Sequence, residues 1–429
     1  MQNMLLYHIS QIATPQGKSL LRGKDMNHLS LIQDGAIYIQ NGIIKMVGTT
    51  AEVLLSLSVT EETISSFSRN NPDTVCMNLE GKTVVPGFVD SHTHFLFGGY
   101  RPEEFMMRLQ GAAYMDIMKM GGGIQNTVEA THRAPKEQLY LDGAKRLKDM
   151  LSMGVTTVEG KSGYGLDLDC ELKQLQIMKQ LDKDLPLDIA VTFLGAHAVP
   201  KNFANHPDEY IDYMIRQVLP VISRENLAEF CDIFCEEGVF DAAQSEKLLS
   251  AAKDMGFDIK IHADEILPIG GSQLAARLNA VSADHLLAIP DDAVPMLSES
   301  GTAAALLPCT AFCLNKPYAP ARKLIDCGCG VALASDYNPG SCFTNHIPLL
   351  LSLAVITMGM TMEEALCALT LNGAAAVKRA DTIGSIEPGK RADLAVLSYP
   401  DYRFLVYHTC KNIVGTVIKN GTVVYTAQE

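Results

Sequence analysis

The sequence predicts an α/β protein: a (β/α)8 TIM barrel joined to a composite β-sandwich domain built from both chain ends. Three observations carry this expectation. Short apolar runs alternate with helical stretches through the centre of the chain, and eight such runs can be counted. Period-two patterns with Asn-Gly turns recur at the two ends. Residues able to do chemistry gather just after the central runs, where a barrel places its active site.

The elements follow in order. Residues 1–80 form the N-terminal part of the β-sandwich: Gly35 to Ile44 alternates apolar and polar side chains around the turn Asn41-Gly42. The serine-rich stretch from Thr50 to Asn78 predicts a helix and a variable loop. Residues 381–429 repeat the β pattern from Asp393 to Leu397 and from Val414 to Tyr425. Neither end can build a core alone, so the two combine.

Residues 81–380 form the barrel. Its first strand lies near Phe88, within the apolar run Val84, Val85, Phe88 and Val89, bounded by Pro86 and Gly87. The others are expected at Thr156 to Glu159, Ile189 to Leu194, Cys231 to Cys235, Ile259 to Ile261, Ala280 to Ser282, Thr302 to Leu306 and Val331 to Ala334. Helical patterns fill Lys136 to Met153, Asp169 to Asp182, Pro207 to Arg224, Asp241 to Met255 and Ser272 to Leu278.

Composition narrows the function. A chain of 429 residues with 47% hydrophobic content can bury a large core. No run approaches the about 20 apolar residues needed to span a bilayer; Pro348 to Met360 reads as a buried helix. The opening residues lack a basic segment followed by an apolar block, so no secretory signal is expected and a cytoplasmic enzyme is. Eleven cysteines then imply reduced thiols. The pairs Cys231/Cys235, Cys309/Cys313 and Cys327/Cys329 lack zinc-site spacing and are expected to pack as small apolar residues. With 35 basic against 49 acidic residues, the net charge of -14 opposes nucleic-acid binding.

The chemistry starts at His92-Thr93-His94. Residues i and i+2 of a strand share a face, so two imidazoles can reach one point, and borderline metals such as zinc or iron accept them. Alone, such a pair is more often incidental, so its partners decide. Lys161 to Gly165 follow the second strand, Gly195-Ala196-His197 the third, Glu236-Glu237 the fourth and His262-Ala263-Asp264-Glu265 the fifth. Asp284-His285 ends the sixth, Leu307-Pro308 the seventh and Asp336-Tyr337-Asn338 the eighth. Five of the 11 histidines fall at these ends, which random placement rarely gives.

These segments resemble the amidohydrolase superfamily, and within it the imidazolonepropionase family, over nearly the whole chain. The stretches Pro86 to Arg101, Gly121 to His132, Lys161 to Asp167, Thr192 to Pro200, His262 to Glu265, Asp284 to Leu286 and Ser335 to Ser341 carry the likeness. The His-x-His start and the tail Ile386 to Leu394 indicate only the superfamily, whereas Tyr164, His197, Glu265 and Asp336 to Gly340 are more particular.

The resemblance implies one zinc or iron ion held by His92, His94, His262 and Asp336. Convergence of strands one, five and eight at the barrel mouth agrees with that set. It implies hydrolysis of a small cyclic amide, 4-imidazolone-5-propanoate, with Asp336 taking a proton, His285 stabilising an oxyanion and Glu265 serving the ring nitrogen. Substrate contacts are implied for Arg101, Tyr164, His197, Glu265, Asn338, Gly340 and Ser341, with the Arg101 guanidinium clamping the propanoate. Family members often carry threonine where Ser341 stands. Homodimerisation is implied by resemblance only.

Lys161 is expected in a structural ion pair, Glu236 or Glu237 as a conceivable bridge to a second metal, and His8, His28, His132, His206, His346 and His408 as ordinary residues. Gly121-Gly122-Gly123 lacks the lysine and spacing of a phosphate loop, so a flexible active-site loop is expected. Two competing readings stand beside this one. An aminohydrolase of a purine or pyrimidine-like ring would use similar water chemistry but has no tail for Arg101. A non-catalytic scaffold usually loses ligands, and all four are present.

Overall fold

The computed structural model describes residues 3–111 and 122–428. In chain order its strands are β1 (Asn3–Thr14), β2 (Ser30–Gln40), β3 (Ile43–Thr49), β4 (Thr74–Asn78) and β5 (Thr83–Pro86). The central strands are β6 (Phe88–Asp90), β7 (Val155–Lys161), β8 (Asp188–Ala196), β9 (Phe230–Cys235), β10 (Asp258–Ala263), β11 (Ser282–His285), β12 (Ala303–Leu306) and β13 (Val331–Leu333). Last come β14 (Leu394–Leu397), β15 (Val414–Lys419) and β16 (Thr422–Thr426).

The chain ends share one sheet in the order β16-β15-β14-β5-β1-β2-β3, with β4 also paired to β1. Strand β1 organises it. A register shift between Leu6 and Ile9 breaks its antiparallel pairing with β2, and His8 there takes φ +52°. Such a bulge bends a strand. On the other edge the first half of β1 pairs with β4 and the second half with β5. The sheet therefore curls around a buried core that includes Leu6, Ile12, Ile39, Val84, Leu394 and Ile418. The Asn41-Gly42 turn forms as expected, with φ +53° and +78° joining β2 to β3.

The central strands run in parallel in chain order from β6 to β13. Beyond their formal ends, β6 and β13 meet and close the barrel. His94 N donates to Tyr337 O at 2.9 Å, and Asp336 N donates to His92 O at 3.0 Å. Below this seam the Asp90 carboxylate accepts from Ser335 N at 2.9 Å and from Ser335 Oγ at 2.6 Å. Apolar side chains such as Val155, Val158, Ile189 and Leu249 pack in the large core that joins the strands to the outer helices.

Several local expectations shift. The sixth strand is Ser282–His285 rather than Ala280 to Ser282, because pairing with β10 runs on to Ala263 opposite His285. The stretch 50–78 holds two helices, Thr50–Ser56 and Ile64–Asn70, and the unforeseen β4, whose polar ends hide its pairing with β1. The expected helix from Pro207 to Arg224 contains a π turn at Met214–Val218 just before Pro220, which has no N–H to give an α turn. The other four helices begin and end within two residues of expectation; Asp167 and Asp241 cap two of them.

All eleven cysteines are free. Cys231, Cys235, Cys309 and Cys329 are buried as expected, but Cys313 is half-buried and Cys327 exposed, since each sits near the end of a short surface helix. Among the described residues no helix is long and apolar enough to cross a membrane. Gly121 lies outside the described residues; Gly123 takes φ +82° just before the helix Ile124–Arg133.

Gly87 alone separates β5 from β6. Its N–H donates to Asp393 O at 2.8 Å, and a methyl group there would stand 2.4 Å from Thr156 Oγ1. Gly87→Ala is therefore expected to destabilise the fold by about 1–3 kcal/mol through overpacking. The urea midpoint measures this, and an unchanged midpoint would refute the close approach.

Candidate active site

Strand periodicity aims the polar side chains. Glu159 and Lys161 of β7, Lys260 and His262 of β10, and Ser282 and Asp284 of β11 occupy alternate positions, and all are buried. They meet Asp232 of β9 inside the barrel. Lys161 Nζ lies 2.7 Å from Asp232 Oδ2, 3.0 Å from Glu159 Oε1 and 3.3 Å from Asp284 Oδ2. Lys260 Nζ lies 2.6 Å from Glu159 Oε2 and donates to Ser91 O at 3.1 Å. Burial alone would push Lys161 down, but Asp232, Glu159 and Asp284 hold its ammonium well above the usual lysine range.

Above this layer the histidines converge. His92 Nδ1 lies 2.6 Å from Asp284 Oδ2, and His262 Nδ1 lies 2.9 Å from Asp232 Oδ2. Ligand atoms of His92, His94 and His262 lie within 4.8 Å of one another, as do those of His92, His285 and Asp336. Asp336 Oδ1 is 3.5 Å from Nε2 of both His92 and His94, while its Oδ2 accepts from Thr310 Oγ1 at 2.6 Å. The donor set fits a cation. His92 Nε2, His94 Nδ1 and both ring nitrogens of His262 are buried with no hydrogen-bond partner among the described residues, a deficit that coordination of the rings would reduce. Burial first, then nearby positive and imidazole groups, hold all three rings well below the ordinary histidine range, so they are neutral, the form that binds metal.

Around this cluster stand the remaining predicted residues. His197 stacks on His94 with centroids 4.9 Å apart, and its Nδ1 meets Gly163 O at 3.2 Å. Tyr164 lies 5.5 Å from the His197 ring and is buried, which raises its hydroxyl pKa. Glu171 holds the Tyr164 loop by accepting from the amides of Gly163, Gly165 and Leu166. Glu265 Oε2 is 3.6 Å from His285 Nδ1. Burial, then the charges of Asp336 and Glu236, push Glu265 up to about 8. Burial also pushes Asp336 up to about 7 and brings His197 and His285 down to about 4. His285 and Asp336 take φ +80° and +55°, a left-handed backbone that is sparsely populated and found at functional sites.

Arg101 borders a groove of about 330 Å³ also lined by Gly98, Glu104 and Asn126. Its Nη1 donates to Glu104 Oε2 at 3.3 Å, and its Nε has no hydrogen-bond partner among the described residues. Gly340 seats the guanidinium: a methyl group there would stand 1.8 Å from Arg101 Nη2.

Two expectations change in detail. The last loop does not hold free donors, because its polar groups turn on one another. Asn338 Oδ1 accepts from Gly340 N at 2.8 Å and Ser341 N at 2.7 Å, and Asn338 Nδ2 donates to Ser341 Oγ at 2.9 Å and to Asp336 O at 2.7 Å. The Glu236 carboxylate is engaged by backbone: it accepts from Ile266 N and Leu267 N at 2.9 and 3.0 Å and so clamps the loop that carries Glu265. Lys161 is ion-paired as expected. Sequence reasoning gave no role to Asp232, Asp284 or Thr310. Asp232 had a signal, as the one charge in the apolar run Phe230–Cys235, which becomes a buried strand.

The amidohydrolase family model matches residues 83–424. An imidazolonepropionase from Parabacteroides distasonis is 54% identical over 97% of this chain and 98% of that protein. One from Clostridium tetani is 50% identical over 99% and 98%. Among solved structures, a zinc-bound adenosine deaminase from Xanthomonas campestris aligns with TM-score 0.71 at 18% identity, covering 99% of this chain and 93% of that one. At that identity the likeness speaks for the fold alone. The family match, the near-complete overlap and the half-identical sequences together place this chain in the amidohydrolase family, among the imidazolonepropionases.

Proposed function

We propose that this chain hydrolyses the ring amide of 4-imidazolone-5-propanoate to N-formimidoyl-L-glutamate, a step of histidine degradation. The observation that carries the reading is the convergence of His92, His94, His262 and Asp336, from three separate parts of the chain, in a protein half-identical to imidazolonepropionases. These four residues would hold one zinc or iron ion. When bound, such an ion lowers the pKa of a coordinated water from about 15.7 toward about 7 and polarises a carbonyl.

The protein's own groups do the rest. Thr310 occupies Asp336 Oδ2, so Oδ1 faces the histidines and takes the proton of the attacking water. His285, neutral because burial lowers it, donates an N–H to the oxygen that gains charge as the ring carbonyl becomes tetrahedral. Glu265, raised to about 8, carries a proton at neutral pH and passes it to the ring nitrogen as the amide bond breaks. His197 and Tyr164 hold the ring beside His94. Arg101 exchanges its Glu104 partner for the propanoate, and the Asn338 turn, by presenting Gly340 to the guanidinium, keeps it aimed. The assembly is a homodimer in the cytoplasm, with 81–380 as the barrel segment between the sandwich segments 1–80 and 381–429. Strand β5 (Thr83–Pro86) falls within 81–380 by number yet pairs in the sheet of the chain ends.

Ring opening is followed by loss of imidazolonepropanoate absorbance. His262→Ala is expected to lose metal content and activity together; near-native turnover by the metal-free variant would overturn the ligand set. Arg101→Ala should raise KM by about 10- to 100-fold with kcat less affected, as loss of uniform binding does. Gly340→Ala should move KM the same way. Unchanged KM in both variants would place the tail elsewhere. Ammonia release from guanine or cytosine, with imidazolonepropanoate untouched, would favour the aminohydrolase reading instead.

Glu265 also predicts a pH dependence for the metal-free protein. Its folded pKa of about 8 exceeds the ordinary 4.5, so the native state binds more protons than the unfolded state between these values. Stability therefore falls as pH rises through that window. Glu265→Gln is expected to flatten this part of the melting temperature against pH curve; an identical slope in both proteins would contradict the assignment.

A further inference from the structure

Four features of the buried layer beneath the histidines stand together. His92 and His262 each present Nδ1 to a different carboxylate, Asp284 and Asp232, at 2.6 and 2.9 Å. The His92 contact is a hydrogen bond, and since an ionised carboxylate only accepts, that ring carries its proton on Nδ1 and keeps Nε2 free; the His262 contact is a close approach outside hydrogen-bond geometry. Both of those Nε2 atoms are buried and without a partner among the described residues. One ammonium, that of Lys161, touches both carboxylates through the very oxygens that face the rings: Asp232 Oδ2 at 2.7 Å and Asp284 Oδ2 at 3.3 Å.

We propose that Lys161 is a positioning residue of the metal centre, a single cation that fixes the orientation of two ligand imidazoles at once through Asp232 and Asp284. It reaches neither ring itself. Glu159 holds the ammonium from the side at 3.0 Å, and Thr192 and Lys260 in turn hold Glu159. Lys260 supplies the internal comparison. It is equally buried and also paired to Glu159, yet among the described residues its ammonium meets that carboxylate, Ser91 O and the face of Phe230 and forms no ion pair with Asp232 or Asp284. If Lys161 acted merely as buried positive charge, removing either lysine would have the same effect on the metal.

The inference rests on the ligand set proposed above, and the test separates the two. Metal affinity is measured by chelator competition with zinc on folded protein, and ligand geometry by the visible spectrum of the cobalt-substituted protein. Lys161→Met is expected to weaken zinc by about 10- to 100-fold, the range for losing an outer partner of a ligand, and to alter the cobalt spectrum. Lys260→Met is expected to fall well short of that and to leave the spectrum as it is. Equal losses in the two variants, or native affinity in Lys161→Met, would overturn the proposal. Should Lys161→Met not fold, Lys161→Arg decides, because it keeps the charge but moves the donors. A changed cobalt spectrum in Lys161→Arg beside an unchanged one in Lys260→Met supports the role; an unchanged Lys161→Arg spectrum refutes it. Retention of zinc by His262→Ala would instead sink the ligand set, whereas loss there with native affinity in Lys161→Met sinks this inference alone.

Discussion

Charge buried in a barrel interior must be paired, and that constraint shapes this protein from the inside. A barrel is usually filled by layers of branched apolar side chains. Here the layer beneath the site contains Glu159, Lys161, Asp232, Lys260 and Asp284, all without solvent exposure. Two ammonium groups face three carboxylates, and the two carboxylates nearest the histidines also meet imidazoles, Asp284 by a hydrogen bond with His92 Nδ1 and Asp232 by a close approach to His262 Nδ1. Removing one member would strand its partners in a medium that solvates them poorly, which is costly. The layer is thus a charged floor against which two of the histidine rings stand.

The second organising feature is the place where the barrel closes. Among the described residues, the backbone-to-backbone hydrogen bonds that join the first strand to the last are made by His92, His94, Asp336 and Tyr337. Three of these four residues also belong to the donor cluster. Fold closure and site assembly are one set of contacts, so their geometry is fixed by chain topology rather than by a mobile loop. The residues that border the entrance are held differently. Arg101, the Asn338 turn and the Glu265 loop are tied by side-chain acceptors, Glu104, Asn338 and Glu236, each engaging nearby donors.

Much of this was legible in the sequence because strands obey a period of two and a barrel puts its chemistry after strand ends. That is why His92, His94, His197, His262, His285 and Asp336 could be named, and why the structure brings them together. What the letters withheld has physical causes. Strand β4 is short with polar ends, and its partner is the distant first half of β1. Asn338, Gly340 and Ser341 were expected to offer donors, but the Asn338-Pro339-Gly340 turn brings the asparagine side chain back onto the amides of Gly340 and Ser341 and satisfies them locally. The partners of Lys161 come from β7, β9 and β11, and no spacing along one segment reveals a contact made across three strands.

The single-residue passage at Gly87 bears on how small this protein can be made. Strand β5 is flanked by β14 from one terminus and β1 from the other, and it runs into β6, whose extension carries the histidine pair. Trimming either end to isolate a minimal barrel would leave an apolar edge strand unzipped beside the catalytic centre, an invitation to aggregation. The extremities, remote in sequence from every histidine of the cluster, are for this reason as indispensable to a working domain as the barrel they appear only to decorate.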